Sequence, residues 1–294
     1  MDKLPFYSKN AIGIFDSGVG GLSVLREIRN QIPDSPIIYF GDQFHVPYGP
    51  RELEEVYSLS KVITQFLLSL GAEIIVVACN TASAAALYPL REEFPDIPFV
   101  GMEPAVKPAA EKTHTGSVGV LATPATFQGK LYNSVVERFA KNVKIYQNTC
   151  SGLVQEIEKG NFTGIETRNI LENALFPMLE NEIDSVVLGC THYPFVIPLI
   201  KEIVGPEVTV IDPAPAVAKQ TLRIFSKGDD PGSKKKQNRT ILLTSGAIYD
   251  FQNFIKLIDL HHYEIYQVEW SQDKSKINIV HPKGLGERFD ILRL

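Results

Sequence analysis

Ile74-Ile75-Val76-Val77-Ala78 runs without a break into Cys79-Asn80-Thr81-Ala82-Ser83, and Ala84-Ala85-Ala86-Leu87 follows. An unbroken apolar run rich in β-branched residues reads as a strand buried on both faces. Such strands belong to parallel sheets covered by helices. Cys79 is therefore expected at the carboxyl end of a strand and just ahead of a helix. Open α/β sheets place their ligands there. A helix N-terminus also stabilises a thiolate through its dipole and unpaired N–H groups. The pattern recurs in Val186-Val187-Leu188-Gly189-Cys190-Thr191-His192-Tyr193-Pro194. Two cysteines in equivalent settings point to an α/β chain with two matching halves.

The remaining chain supports that duplication. Ala11-Ile12-Gly13-Ile14-Phe15 reads as a first strand, and Asp16-Ser17-Gly18-Val19-Gly20-Gly21 as a glycine-rich turn before a helix. Val118-Gly119-Val120-Leu121-Ala122-Thr123 lines up with the first strand, so Thr123 matches Ser17. The halves are expected to face each other across a cleft. Pro36 to Phe40, Pro98 to Met102, Val208 to Ile211, Thr240 to Thr244 and Tyr263 to Trp270 read as further strands. Leu53 to Leu70 carries apolar residues at helical spacing and stops at Gly71. The crossovers near 98–103 and 206–213 carry proline and glycine and are expected to hinge. Ser226 to Arg239 reads as a polar linker, with Lys234-Lys235-Lys236 as a solvated run.

The glycine-rich turn has two readings. Its N–H groups suit an anion. A dinucleotide fingerprint would need glycine where Ser23 stands, although Asp42 follows the second strand at a ribose-reading distance. Tight strand–helix packing is the bland alternative.

With 294 residues, 44% hydrophobic and 21% charged, the chain suits one large or two medium globular domains. A net charge of −5 argues against nucleic acid or an anionic membrane as main partner. No apolar run reaches the ~18 residues of a membrane span. The start, Met1-Asp2-Lys3-Leu4-Pro5-Phe6, lacks a signal peptide's apolar core, so a cytoplasmic protein is expected. Three cysteines are too scattered for a disulfide framework or a zinc site. Cys150 is expected to be a small buried hydrophobe.

Four chemistries compete for Cys79 and Cys190. Metal ligation lacks paired spacings. A redox disulfide lacks the Cys-x-x-Cys pattern. A single nucleophile leaves one cysteine unexplained. A pair of acid–base thiols on opposite faces of one carbon explains both. A free thiol has pKa ~8.5, so both protonation states are reachable near neutrality. No cofactor motif is visible, so a carbanion would need hydrogen bonds to the substrate carboxylate. Ser17, Asn80, Thr81, Thr123 and Thr191 are placed to supply them.

Asp16-Ser17-Gly18, Pro47-Tyr48-Gly49, Cys79-Asn80-Thr81-Ala82-Ser83 and Gly189-Cys190-Thr191-His192-Tyr193-Pro194 together resemble the motif set of the glutamate racemases, within the cofactor-independent aspartate/glutamate racemase family. The resemblance spans residues 11 to 225 and continues more weakly to Trp270. It implies two pseudo-symmetric Rossmann-like domains with parallel sheets and the active site between them. The first would hold residues 1–100 plus 209–270, the second 101–208, with 271–294 a tail of no assigned role. The implied activity is interconversion of L- and D-glutamate without a cofactor or metal, supplying D-glutamate for peptidoglycan, in a homodimer. Cys79 and Cys190 would be the acid/base pair, assisted by Asp16 and His192 respectively. Asp16, Ser17, Tyr48, Gly49, Asn80, Thr81, Thr191 and His192 would bind substrate, with Thr123 a further contact. Glu158 falls near a position where the family carries an acidic residue. Ser151 departs from the family's proline. Racemisation of aspartate or another amino acid, or non-catalytic binding of an amino acid or nucleotide, are the alternatives. Asp16 beside Cys79 would disfavour its thiolate, whereas a protonated His192 would favour that of Cys190.

Overall fold

The computed structural model describes residues 10–226 and 239–280. The first half runs β1 (Ala11–Asp16), α1 (Leu22–Gln31), β2 (Ile37–Gly41), α2 (Leu53–Ser69), β3 (Ala72–Val77), α3 (Asn80–Glu93) and β4 (Phe99–Gly101). The second runs α4 (Val106–Lys112), β5 (Ser117–Ala122), α5 (Pro124–Gln128), α6 (Lys130–Phe139), β6 (Lys144–Asn148), α7 (Leu153–Glu158), α8 (Ile165–Leu179), β7 (Ser185–Gly189), α9 (Ile197–Val204) and β8 (Thr209–Ile211). The chain then adds α10 (Ala214–Phe225), β9 (Thr240–Thr244), α11 (Ile248–Leu257), β10 (Tyr263–Trp270) and β11 (Ile277–Ile279).

Among the described residues the strands form two sheets, ordered β11-β10-β9-β2-β1-β3-β4 and β6-β5-β7-β8. The stretch β2-β1-β3-β4 repeats the order β6-β5-β7-β8 strand for strand. All these pairings are parallel. The duplication visible in the sequence is thus a duplication of topology, with Cys79 after β3 and Cys190 after β7. In each half the strand order reverses beside the strand that carries Ser17 or Thr123. The crevice at that reversal is the ligand position of an open α/β sheet.

Two boundaries differ from the sequence reading. β8 pairs with β7, so Thr209–Ile211 closes the second sheet and the return to the first begins at α10. Three residues at a sheet edge leave little pattern to assign. β11 pairs antiparallel with β10 and adds Ile277–Ile279 to the first sheet, inside the stretch expected to be a tail. The lysine run at 234–236 and residues 281–294 lie outside the described residues. No described helix is long and apolar enough to cross a membrane.

The central strands are buried on both faces, which is why they read as continuous apolar runs. Helices α1 and α10 cover one face of the first sheet with Leu22, Leu25, Ile28, Val217 and Ala218. Helices α2 and α3 cover the other with Val56, Ile63, Leu67, Ala86 and Leu90. One apolar cluster continues from the α1 side into the second domain through Tyr193, Leu188 and Leu175. At its edge Phe254 of α11 packs edge-on against Phe162 and Phe195, with ring centroids 5.9 and 5.7 Å away.

Candidate active site

Cys79 ends the β3 run and occupies the N-cap of α3. Its Sγ accepts the Ala82 N–H at 3.4 Å. The Asn80 and Thr81 N–H groups lie in the first turn of α3, which has no intrahelical partner for them. The Sγ–H donates towards Ser17 Oγ at 3.8 Å. The thiol is buried and lies near Asp16, and these two effects together push its pKa up to about 12.

The second cysteine departs from this pattern. The sequence places a helix directly after Cys190, but α9 begins only at Ile197, after a single 3₁₀ turn over Tyr193–Val196. Pro194 and Pro198 account for the delay, since neither can donate a backbone hydrogen bond. Cys190 has His192 instead, with Nδ1 3.8 Å from its Sγ. The other ring nitrogen, Nε2, lies 2.6 Å from Glu158 Oε1. Burial works against a charged imidazole, but the bonds to Cys190 and Glu158 outweigh it and hold the His192 pKa well above its usual value. Burial likewise opposes the Glu158 carboxylate, and the His192 bond, the His192 charge, and the Val19 and Gln43 donors hold its pKa low.

The glycine-rich turn serves this arrangement. Its Val19 N–H donates to Glu158 Oε1 at 3.0 Å, so the anion it binds is a side chain of the facing domain. A Cβ on Gly20 would lie 2.5 Å from Thr191 Oγ1 and 2.6 Å from His192 Nδ1. Glycine is required here by the approach of two domains. Asp16 sits behind the turn, accepting the Gly18 N–H at 3.0 Å and the Thr191 hydroxyl at 2.9 Å. Burial raises its pKa even though His192 and these donors pull the other way.

A partly open space of about 10 Å³ lies between the halves, room for a single water. Cys79, Asn80, Thr81 and Ser17 line it from the first domain, together with Tyr48 and Gly49. Cys190, Thr191, His192 and Thr123 line it from the second. Asp16 and Glu158 do not; both stand one layer behind the wall. Thr81 Oγ1 and Thr123 Oγ1 bond each other across the cleft at 2.8 Å. Tyr48 turns its hydroxyl away, to Asp42 Oδ2 at 2.7 Å. Asn80 Oδ1 and Nδ2 are buried without a partner among the described residues, leaving its amide available to a bound molecule. The wall contains no Lys or Arg. Among the described residues no three His, Cys, Asp or Glu side chains group as a metal site.

The sequence reading passed over Pro47 and Val154, which also line the space, and Gln43, which donates to Glu158 Oε2 at 3.3 Å. Pro47 was in plain view inside the Pro-Tyr-Gly loop. Val154 and Gln43 carry no local signal, because only tertiary folding brings them here.

Two sheets that share one four-strand order, each bringing a cysteine to a common cleft, define a pseudo-symmetric two-domain α/β protein with paired thiols. Comparison with known proteins supplies the family. Residues 12–221 match the Asp/Glu/Hydantoin racemase family. A glutamate racemase of Pseudomonas aeruginosa is 50% identical over 216 residues, 74% of this chain and 82% of the relative. A glutamate racemase of Roseiflexus sp. is 43% identical over 254 residues, 86% of this chain and 93% of the relative. The crystal structure of Escherichia coli glutamate racemase with L-glutamate and the activator UDP-MurNAc-ala aligns with a TM-score of 0.78 at 30% identity. That alignment covers 93% of this chain and 100% of the other. The chain belongs to the Asp/Glu/Hydantoin racemase family and is an isomerase of that family.

Proposed function

We propose that this chain is a glutamate racemase that moves the α-proton with Cys79 and Cys190. The observation that carries the reading is that these cysteines, from equivalent strands of separate sheets, line the same small space. A substrate α-carbon between them has one sulfur on each face. One sulfur takes the α-proton as a thiolate while the opposite thiol supplies a proton to the other face. In the reverse direction the roles exchange.

The two sulfurs are served differently. Cys79 holds its proton tightly, which suits the acid of the pair. Asp16, with its raised pKa, can store a proton beside it. The His192 imidazolium is placed to balance negative charge that develops on Cys190. Glutamate carries two carboxylates, and no Lys or Arg lines the site. Neutral dipoles would hold them: the α3 N–H groups, the Asn80 amide and the Ser17, Thr81, Thr123 and Thr191 hydroxyls. Preorganised donors of this kind stabilise the carbanion without reorganisation.

The identity to glutamate racemases over most of the chain supports glutamate as substrate. The muramyl nucleotide in the Escherichia coli complex supports a place for the product in peptidoglycan synthesis, in the cytoplasm. The working unit in this reading is a homodimer, which sedimentation velocity would test. The deciding experiment is a racemase assay with no added pyridoxal phosphate or metal, run side by side on glutamate and aspartate. Glutamate should racemise at least tenfold faster. Activity that requires either addition, or a preference for aspartate, would contradict the proposal.

A further inference from the structure

The sequence offers Asp42 as a ribose reader at the end of β2, and the folded chain uses it otherwise. Its carboxylate is completely buried and accepts four bonds. Oδ1 takes the Ser245 hydroxyl at 2.8 Å and the Trp270 indole N–H at 2.8 Å. Oδ2 takes the Tyr48 hydroxyl at 2.7 Å and faces His45 Nδ1 at 2.9 Å. No lone pair remains for a nucleotide. The donors come from distant parts of the chain: Ser245 follows β9 and Trp270 ends β10, strands made after the second domain is complete. Ser245 Oγ also accepts the Phe44 N–H at 3.0 Å, so it grips the loop after β2 twice.

That loop carries Tyr48 and Gly49 to the cavity. Among the described residues the Tyr48 and Gly49 N–H groups have no protein acceptor, while Gly49 O takes the Ala125 N–H of the facing domain at 3.3 Å. With its hydroxyl held by Asp42, Tyr48 can present to the cavity only its ring and main chain. We infer that Asp42 is a positioning residue: it gathers Ser245, Trp270 and Tyr48 on one carboxylate and so fixes the Tyr48–Gly49 wall of the substrate cavity.

This inference rests on the glutamate racemase reading, and its test separates the two. The cysteines follow β3 and β7, not this loop. Loosening the wall should therefore weaken binding of ground and transition state alike, which raises KM and leaves kcat in place. Ser245→Ala and Trp270→Phe each remove one donor to Oδ1 and keep the Tyr48 bond. Each is expected to raise KM for glutamate about fivefold, with kcat within about twofold of wild type. Ser245→Thr, which restores a hydroxyl, should bring KM back. Asp42→Asn should have the largest KM effect. A purely structural role would lower the folded fraction, so apparent kcat would fall with KM unchanged; that result, or unchanged KM in both single variants, overturns the inference. A wild-type chain inactive on glutamate would instead overturn the parent reading and this one with it.

Discussion

His192 Nε2 and Glu158 Oε1 lie 2.6 Å apart behind Cys190, with the histidine buried and the carboxylate partly so. The histidine pKa is raised and the carboxylate pKa lowered, so the pair is charged on both members near neutrality. The raised histidine contributes stability that is complete below its ordinary value of 6.5 and is lost as pH climbs through the raised one. The lowered glutamate contributes stability that is present above its ordinary 4.5 and is lost as pH falls through the lowered one. Glu158→Gln removes the partner charge, and burial then drives the imidazole towards its neutral form. The alkaline limb of the rate profile should move to lower pH, with a loss of stability of about 1–3 kcal/mol. A pH–rate series beside thermal melts checks both. An alkaline limb that stays in place would mean that His192 charge plays no part.

Asp16 raises the Cys79 pKa after burial has already done so, and the substitution Asp16→Asn isolates that share. The pH dependence of alkylation by iodoacetamide, followed by peptide mass in the Cys190→Ala background, reports on Cys79 separately from the buried Cys150. Asp16→Asn should speed Cys79 alkylation and move its transition to lower pH, while racemisation by the otherwise wild-type chain falls at least tenfold. A transition that does not move would detach Asp16 from Cys79.

The Thr81–Thr123 bond and the Ala125–Gly49 bond close the cleft over a space far smaller than glutamate. The proposed racemase would therefore take its substrate into a more open form and enclose it afterwards. The chain crosses between domains after β4 and after β8, the stretches that the sequence singles out as hinges. Saturating glutamate should lower the radius of gyration in small-angle scattering. Thr123→Val keeps the shape but removes the cross-cleft bond, worth about 0.5–1.5 kcal/mol. It should leave the ligand-free form at least as open as wild type. An identical profile with and without glutamate would mean that side-chain movements alone admit the substrate.

What the sequence revealed follows from where the signal is local. β3 and β7 were legible because both faces are buried and the apolar run is unbroken. The same logic exposed β1 and β5 and their matching hydroxyls. β6 escaped because Lys144–Asn148 is a sheet edge, with no residue fully buried and no alternation to read. β11 escaped because three residues in a charged stretch set no period. The site divides in the same way. Residues next to the cysteines could be named in advance. The Cys190 setting was legible only in part: Pro194 and Pro198, which delay α9, stand beside it in the sequence, but the Glu158 carboxylate that takes over arrives through a tertiary contact. Asp42 was visible, but its use was not: its indole partner lies 228 residues further along the chain.

Two sulfurs on opposite faces of one carbon make a stereochemical prediction that a single base does not share. The proton removed stays on one sulfur, and the proton delivered comes from the other, which has equilibrated with solvent. Racemisation of L-glutamate in heavy water, sampled early, should give D-glutamate carrying deuterium at the α-carbon. The remaining L-glutamate should stay largely unlabelled. A single base that swings between faces would return part of the original hydrogen to the product. Cys79→Ala and Cys190→Ala should each lower racemisation by at least a thousandfold, since one face then has no proton donor or acceptor. Each variant should still exchange the α-proton of one enantiomer, the one whose hydrogen faces the surviving thiol, and the two variants should exchange opposite enantiomers. That crossed pattern follows from the proposed placement of the α-carbon between the two sulfurs, which reach the cavity from different sheets. If either variant kept near wild-type racemisation, or if both exchanged the same enantiomer, the two-thiol mechanism would be wrong.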